Sequence, residues 1–303
     1  MALLLFDFGG SSVKYGVWDN DDILEKESFV TPTTWESMKA SLLKIKKEKA
    51  ATYNIEGIAI SSPGAVNQVA GIIEGASAIP YIHHFPIVEE LEELFGCPVS
   101  IENDANCAAL AEFWKGAAKG LKNVIFVVVG SGIGGAVIID GKIQYGKHLS
   151  AGEFGYMLLT DQHTFSDLGT AVNMAKRYTK RKNLEENAVS GKEVFELAEQ
   201  GDAIAQNEVD TFYRYLAQGI YNLQYSFDPE KIIIGGGVSS KSDLIPQLTV
   251  NLERIARQVE TALFGPENSL HIPEITLCEF KNDANLIGAV YNFETNRGHQ
   301  SHN

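Results

Sequence analysis

The chain has 303 residues, of which 45% are hydrophobic and 21% charged, and its net charge is −14. That length suits two domains of about 150 residues with cores large enough to need no cross-links, and the acidic balance argues against nucleic acid, which wants a basic face. Cys97, Cys107 and Cys278 are widely spaced and form no C-x-x-C pair, so neither a disulfide framework nor a cysteine zinc site is indicated and the thiols read as reduced.

The first residues, Met1 to Phe8, lack a basic leader and read as a strand. The apolar, uncharged run Val124 to Ile139 holds four glycines and is too short to cross a bilayer. The expectation is a soluble, cytoplasmic protein with no membrane partner. Ala2–Phe8 and Val13–Asp19 are β-rich runs around Gly9-Gly10-Ser11-Ser12, the pattern of a hairpin. Ile23–Thr31 reads as a third strand. Trp35–Ala50 has Met38, Leu42 and Leu43 at helical spacing and a lysine-rich end suited to a helix C-terminus. A buried-type strand at Ile55–Ser61, a short amphipathic helix at Val88–Phe95, a strand at Val99–Ile101 and a helix at Asp104–Lys119 follow. The order then restarts. Asn123–Val129 and Ala136–Asp140 read as strands around Gly130-Ser131-Gly132-Ile133-Gly134-Gly135, and Lys142–Ile143 begins another. After a loop-rich stretch come helices near Ala171–Arg181, Gly191–Gln200 and Asp202–Ser226, a strand at Lys231–Ile234, then Gly235-Gly236-Gly237. A helix at Leu244–Ala262, a strand at Ile275–Cys278 and a helix at Asn285–Glu294 complete the pattern, with a frayed polar tail from Asn296. One plan used twice at so long a period means a duplicated domain, not a solenoid.

Glycine lets backbone N–H groups approach an anion without a Cβ in the way, and a turn of successive N–H groups forms an anion-binding nest. The turns at 9–12 and 130–132 fit that use, with Ser11, Ser12 and Ser131 as added hydroxyl donors. Asp7 ends its strand at the first turn, where a carboxylate suits water held on Mg²⁺; Lys14 is placed to meet a phosphate or simply to be solvated. Gly130, Gly132 and Gly135 satisfy G-x-G-x-x-G, but that pattern marks a dinucleotide site only when it opens a helix. Here β-branched Val137-Ile138-Ile139 follow, which excludes a Rossmann dehydrogenase. No G-x-x-x-x-G-K-[ST] occurs, so a P-loop is excluded as well.

Glu102-Asn103-Asp104-Ala105-Asn106 runs from a strand into an Ala-rich helix, and Asn-Asp-Ala-Asn recurs at 282–285. Either copy reads as a helix cap, since Asn and Asp are favoured there. A carboxylate at such a corner also suits proton removal from a hydroxyl, with the amides holding neighbouring hydroxyls. Upstream of the first copy lies Ser61-Ser62-Pro63-Gly64-Ala65-Val66-Asn67; downstream lies Ala151-Gly152-Glu153-Phe154-Gly155-Tyr156, a carboxylate between glycines.

With those segments in order, and with Ile234-Gly235-Gly236-Gly237-Val238-Ser239, the chain resembles the ROK family of sugar kinases, related in fold to actin and hexokinase, almost end to end. The resemblance implies two actin-like (ribonuclease H-like) α/β ATPase domains with an interdomain cleft: residues 1–118 plus a C-terminal helix at about 284–297, and residues 119–283. It implies ATP and Mg²⁺ as cofactors and a homodimer. Asp104 becomes the catalytic base; Gly64, Ala65, Asn103 and Glu153, with Tyr156, line the sugar site. Asp7, Gly9, Gly10, Ser11, Ser12, Lys14, Gly130, Ser131 and Gly132 attend the phosphates, and Gly235, Gly236 and Gly237 lie by the nucleoside. The second Asn-Asp then belongs to the C-terminal helix.

The chain departs from the family where Tyr156 replaces a histidine and where the zinc-binding cysteines are missing. Structural zinc needs four ligands, and His163 alone does not supply them, so no structural zinc is expected. Tyr81-Ile82-His83-His84-Phe85-Pro86 adds aromatics in a region that approaches the sugar in the family, which suits a disaccharide or glucoside. The expected activity is ATP-dependent phosphorylation of a hexose or β-glucoside, at a glucose-type 6-hydroxyl. N-Acetylmannosamine or fructose as acceptor, and a non-catalytic sugar-binding regulator, are the alternatives. The family's repressors carry a helix-turn-helix before the first strand, for which Asp7 leaves no room.

Overall fold

The computed structural model describes residues 2–265 and 270–300, with side chains to residue 296. The chain divides into two compact units. The first is 1–119 with 146–150 and 280–303, and the second is 120–145 with 151–279.

The first unit is built on a five-stranded sheet. Strand β1 (Ala2–Phe8) is buried at every position and is therefore central; each of Leu3, Leu4 and Leu5, fully buried, is worth about 1.5–3 kcal/mol in transfer from water. It pairs antiparallel with β2 (Ser12–Asp19), which pairs antiparallel with β3 (Asp22–Val30). On its other side it pairs parallel with β4 (Ile55–Ser62), and β4 with β7 (Val99–Asn103). Helix α1 (Trp35–Lys49) starts at Thr34, whose side chain accepts from the Ser37 amide. Helix α2 (Ile87–Phe95) buries Ile87, Leu91 and Phe95 and ends at left-handed Gly96.

The stretch 65–74, unassigned in the sequence reading, is a two-stranded ribbon of β5 (Ala65–Asn67) and β6 (Ile72–Glu74). Three-residue strands are too short to show a period. Helix α3 (Asp104–Lys115) stops four residues before the expected end. The Glu112 carboxylate ends it by taking the Ala117 and Phe280 amides, at 2.9 and 3.0 Å. Helix α9 (Ala284–Gln300) packs against α3. It continues through Asn296, where a frayed tail was expected, while residues 301–303 of that tail lie outside the described residues.

The second unit repeats the strand plan. Strand β8 (Val124–Val129) pairs antiparallel with β9 (Ile133–Ile139), and β9 with β10 (Lys142–Ile143). In the other direction β8 pairs parallel with β11 (Lys231–Gly235), and β11 with β12 (Ile275–Leu277). Strand β9 begins at Ile133, not Ala136, so Gly134 and Gly135 belong to the strand. A Cβ at Gly135 would meet the Phe126 carbonyl oxygen at 2.1 Å and the Phe154 ring at 2.6 Å, so this glycine makes room for packing rather than for a turn. The loop-rich stretch contains a short helix, α4 (Phe165–Gly169), with a capping box between Thr164 and Asp167. Helices α5 (Ala171–Arg181), α6 (Gly191–Glu199), α7 (Ala203–Phe227) and α8 (Leu244–Leu263) cover this sheet. No helix among the described residues is long and apolar enough to cross a membrane.

Candidate active site

Ligands of parallel α/β sheets collect beyond the carboxyl ends of the strands. At that edge of the first unit the register aligns Asp7 of β1 with Ser61 of β4, and Ser61 with Glu102 of β7. Directly paired residues share a face, so these three side chains form a row. Asp7 is buried; its Oδ1 accepts from Ser61 Oγ at 2.9 Å and from Asn285 Nδ2 at 3.0 Å. Its Oδ2 lies 3.7 Å from Lys14 Nζ on the neighbouring strand. Asn285, from the second Asn-Asp-Ala-Asn copy, thus serves the first sheet, whereas Asp283, read as a cap, pairs with exposed Lys26 at 2.9 Å.

Asn103 is the N-cap of α3. Its Oδ1 accepts from the Asn106 amide at 3.1 Å and its Nδ2 donates to the Gly64 carbonyl at 3.0 Å. One side chain therefore ties the helix start to the turn after β4. Asp104 is the first helical residue, half-buried, and its Oδ1 accepts the following amide, of Ala105, at 2.8 Å. Asp7, Glu102 and Asp104 all act on one thiol. Cys107 is held well above its ordinary pKa by burial first, then by these three negative charges. The predicted carboxylates of the first unit are therefore gathered in one place. The aromatic loop borders it too: a Cβ at Gly64 would come within 2.9 Å of the His83 ring, and His83 Nε2 is 2.8 Å from Ser77 Oγ.

Both glycine turns are closed by their first residue. The Gly9 amide donates to the Ser12 carbonyl at 3.1 Å, and the Gly130 amide to the Gly132 carbonyl at 2.9 Å. An anion would therefore meet the amides that follow, at Gly10 and Ser11 or at Ser131 and Gly132. In the second unit three predicted segments converge. Gly236 has φ +86°, and a Cβ there would sit 2.3 Å from the Val129 carbonyl oxygen, so the turn after β11 backs onto the start of the β8–β9 turn. Gly152 has φ +95°, and its Cβ would lie 2.3 Å from the Gly135 carbonyl; one on Gly155 would lie 2.2 Å from that of Ile133. Only glycine permits that approach, and it seats exposed Glu153 beside strand β9. Tyr156 ends the same turn with 80% of its surface exposed.

Sequence reasoning missed Ser166. Its Oγ accepts the Ile133 amide at 2.9 Å and so braces the 130–133 turn from α4. A lone serine in an unassigned stretch carries no signal. Asn285 was visible only as half of a repeat. His163 lies in a surface turn, its Nδ1 3.2 Å from Thr160 Oγ1, and among the described residues no group of three or more His, Cys, Asp or Glu side chains could hold a metal ion.

The model of the ROK family matches residues 4–296. A β-glucoside kinase of Listeria monocytogenes is 33% identical over 308 residues, covering 98% of this chain and 99% of that one. The crystal structure of a ROK family protein from Streptococcus pneumoniae in complex with sucrose superposes with a TM-score of 0.87 at 34% identity, over 99% of this chain and 100% of that chain. A ROK glucokinase from Streptomyces griseus, in complex with glucose and AMPPNP, gives a TM-score of 0.75 at 26% identity, over 95% and 98% of the two chains. The repeated strand order is that of the actin-like α/β fold these structures share, and the chain belongs to the ROK family.

Proposed function

We propose that this ATP-dependent sugar kinase phosphorylates the 6-hydroxyl of a glucose ring bearing a β-linked substituent, with Asp104 as general base. The observation that carries the reading is the corner at 103–104. Asn103 is pinned between the α3 amides and the Gly64 carbonyl, which leaves the next carboxylate, half-exposed, at the open end of the strands. Phosphoryl transfer needs positioning and charge neutralisation more than covalent chemistry, and a carboxylate within about 2.6–3.2 Å of the attacking hydroxyl is a sufficient base. Asn103, Gly64, Ala65 and Glu153 take the roles of hydroxyl ligands. The amides at 10–11 and 131–132, with Ser11, Ser12 and Ser131, take phosphate oxygens, and the turn at 235–237 takes the nucleoside.

Asp7 fits Mg²⁺ only loosely. One carboxylate oxygen already accepts two hydrogen bonds, and the other faces Lys14. That suits a water-mediated hold on a phosphate-bound ion, since magnesium keeps most of its waters. When bound, the ion neutralises charge on the phosphates; Lys14 supplies a second positive charge there.

The substituted sugar is favoured by the aromatic loop beside Gly64 and by exposed Tyr156, where the family places a histidine. The likeness to the Listeria β-glucoside kinase over 98% of this chain supports the same reading. The test is ADP release across glucose, methyl β-glucoside, salicin, cellobiose, fructose and N-acetylmannosamine. A higher kcat/KM for the β-glucosides than for glucose is expected. Preference for fructose or N-acetylmannosamine would sink the acceptor assignment, and no ADP release with any sugar would sink the activity.

A further inference from the structure

Glu102 has no exposed surface, although it precedes the proposed sugar ligand and base. Among the described residues, N–H groups of Asn103, Asn106 and Gln68 reach it. The Asn103 amide, at 2.7 Å, and Asn106 Nδ2, at 3.0 Å, both donate to Oε1; Gln68 Nε2 donates to Oε2 at 2.7 Å. A carboxylate only accepts, so it dictates which end of the Gln68 amide faces it. The consequence runs on into α9. Gln68 Nε2 also donates to Asn292 Oδ1 at 3.2 Å, and Gln68 Oε1 accepts from Asn296 Nδ2 at 3.3 Å. Asn296 Nδ2 donates in addition to Asn292 Oδ1, at 2.9 Å. With its oxygen so occupied, Asn292 leaves Nδ2 buried and without a hydrogen-bond partner. Buried polar groups are normally satisfied. Turning the Asn292 amide over would place two donors face to face, at Gln68 and again at Asn296. The orientation of each amide in the chain thus follows from one carboxylate.

We propose that Glu102 is a positioning residue for phosphoryl transfer: through Oε1 it fixes the 103–106 corner, and through Oε2 and Gln68 it locks that corner to α9. The role in turnover rests on the assignment of Asn103 and Asp104 to the acceptor site. Glu102 touches neither substrate; it acts through the two residues that do.

The test is a swap. Glu102→Gln keeps Oε1 for Asn103 and Asn106 but sets an amino group against Gln68 Nε2. Adding Gln68→Glu restores a carboxylate opposite an amide and lets Asn292 turn its unpartnered Nδ2 toward it, leaving only the contact between Asn292 and Asn296 to readjust. In Glu102→Gln the acceptor KM rises and kcat falls, with kcat/KM lower on the order of a hundredfold, the scale of a small misplacement of reacting groups. The KM for ATP is unchanged, and the double variant regains part of the loss. A merely structural role would lower the active fraction and move neither KM. Hydrogen exchange at amides 103–107 reads the corner without turnover: faster in the single variant, restored in the double. Wild-type acceptor kinetics in Glu102→Gln, or unaltered exchange at 103–107, overturns the proposal. If the wild-type chain phosphorylates no sugar, the assigned activity fails while the exchange measurement still decides what Glu102 holds.

Discussion

Replacing Asp104 with asparagine separates its two duties. The oxygen of an amide still accepts the Ala105 N–H now held at 2.8 Å, so the helix start and the neighbouring Asn103 contacts stay. What disappears is the capacity to take a proton. General-base catalysis typically contributes about 10²–10⁴-fold, so Asp104→Asn is expected to lower kcat by that range and to leave sugar affinity, measured by calorimetry, close to wild type. A variant that keeps near-normal kcat ends the assignment. At this scale the sequence was legible where a residue sits in a short, ordered motif. Asn103, Asp104, Gly64, Glu153 and the glycine turns could all be proposed as site residues before any coordinates. The roles of Ser61, Ser166 and Asn285 could not, because each acts through a contact between segments far apart in the chain: Asn285 reaches Asp7 across 278 positions.

The elements that hold the corner are α3 and α9, and their contact is tighter than any side-chain pattern suggests. A Cβ at Gly288 of α9 would lie 1.7 Å from the Cys107 carbonyl oxygen and 2.4 Å from its carbon. The obstacle is backbone, which cannot rotate away. In an exposed helix, Gly→Ala would gain roughly 1 kcal/mol from propensity. Here the overpacking, at about 1–3 kcal/mol or more, outweighs it. Gly288→Ala is therefore expected to lower the midpoint of chemical denaturation and to impair turnover, because α3 begins at Asp104. An unchanged or raised midpoint would mean that the two helices can separate freely. Sequence reading located both helices from the Asn-Asp-Ala-Asn runs that open them after a strand, but passed over Gly288, whose reason lies in the partner helix. The same holds for the end of α3, which is set by Glu112 bonding Phe280, 168 residues away. Strands β5 and β6 were missed for the opposite reason: at three residues each, they pair only because a turn brings them together.

The duplication inferred from motifs is more complete in the strands than in the sequence. Both sheets have the order hairpin strand, hairpin strand, centre, parallel, parallel, with identical directions at each step. The copies then diverge in what they carry. The first sheet ends in Asp7, Ser61 and Glu102, a row of acceptors and hydroxyls. The second ends in glycine turns at 130–132 and 235–237, packed against each other at Gly236 and Val129. A protein of net charge −14 repels a nucleotide at long range, so close amide donors must supply attraction locally. Each ligand should then leave its own footprint in hydrogen exchange. An ATP analogue with Mg²⁺ slows exchange at amides 10–11, 131–132 and 236–237, whereas a β-glucoside slows it at 103–106. A ligand at a hundred times its Kd stabilises the state it binds by about 2.7 kcal/mol, so the slowing is large wherever exchange requires that state to open. Nucleotide protection confined to 103–106, with the turns at 9–12, 130–132 and 235–237 unchanged, would overturn the assignment of the nucleotide to the glycine turns. The 103–104 corner would then have to be read as a nucleotide contact rather than as the base and sugar ligand.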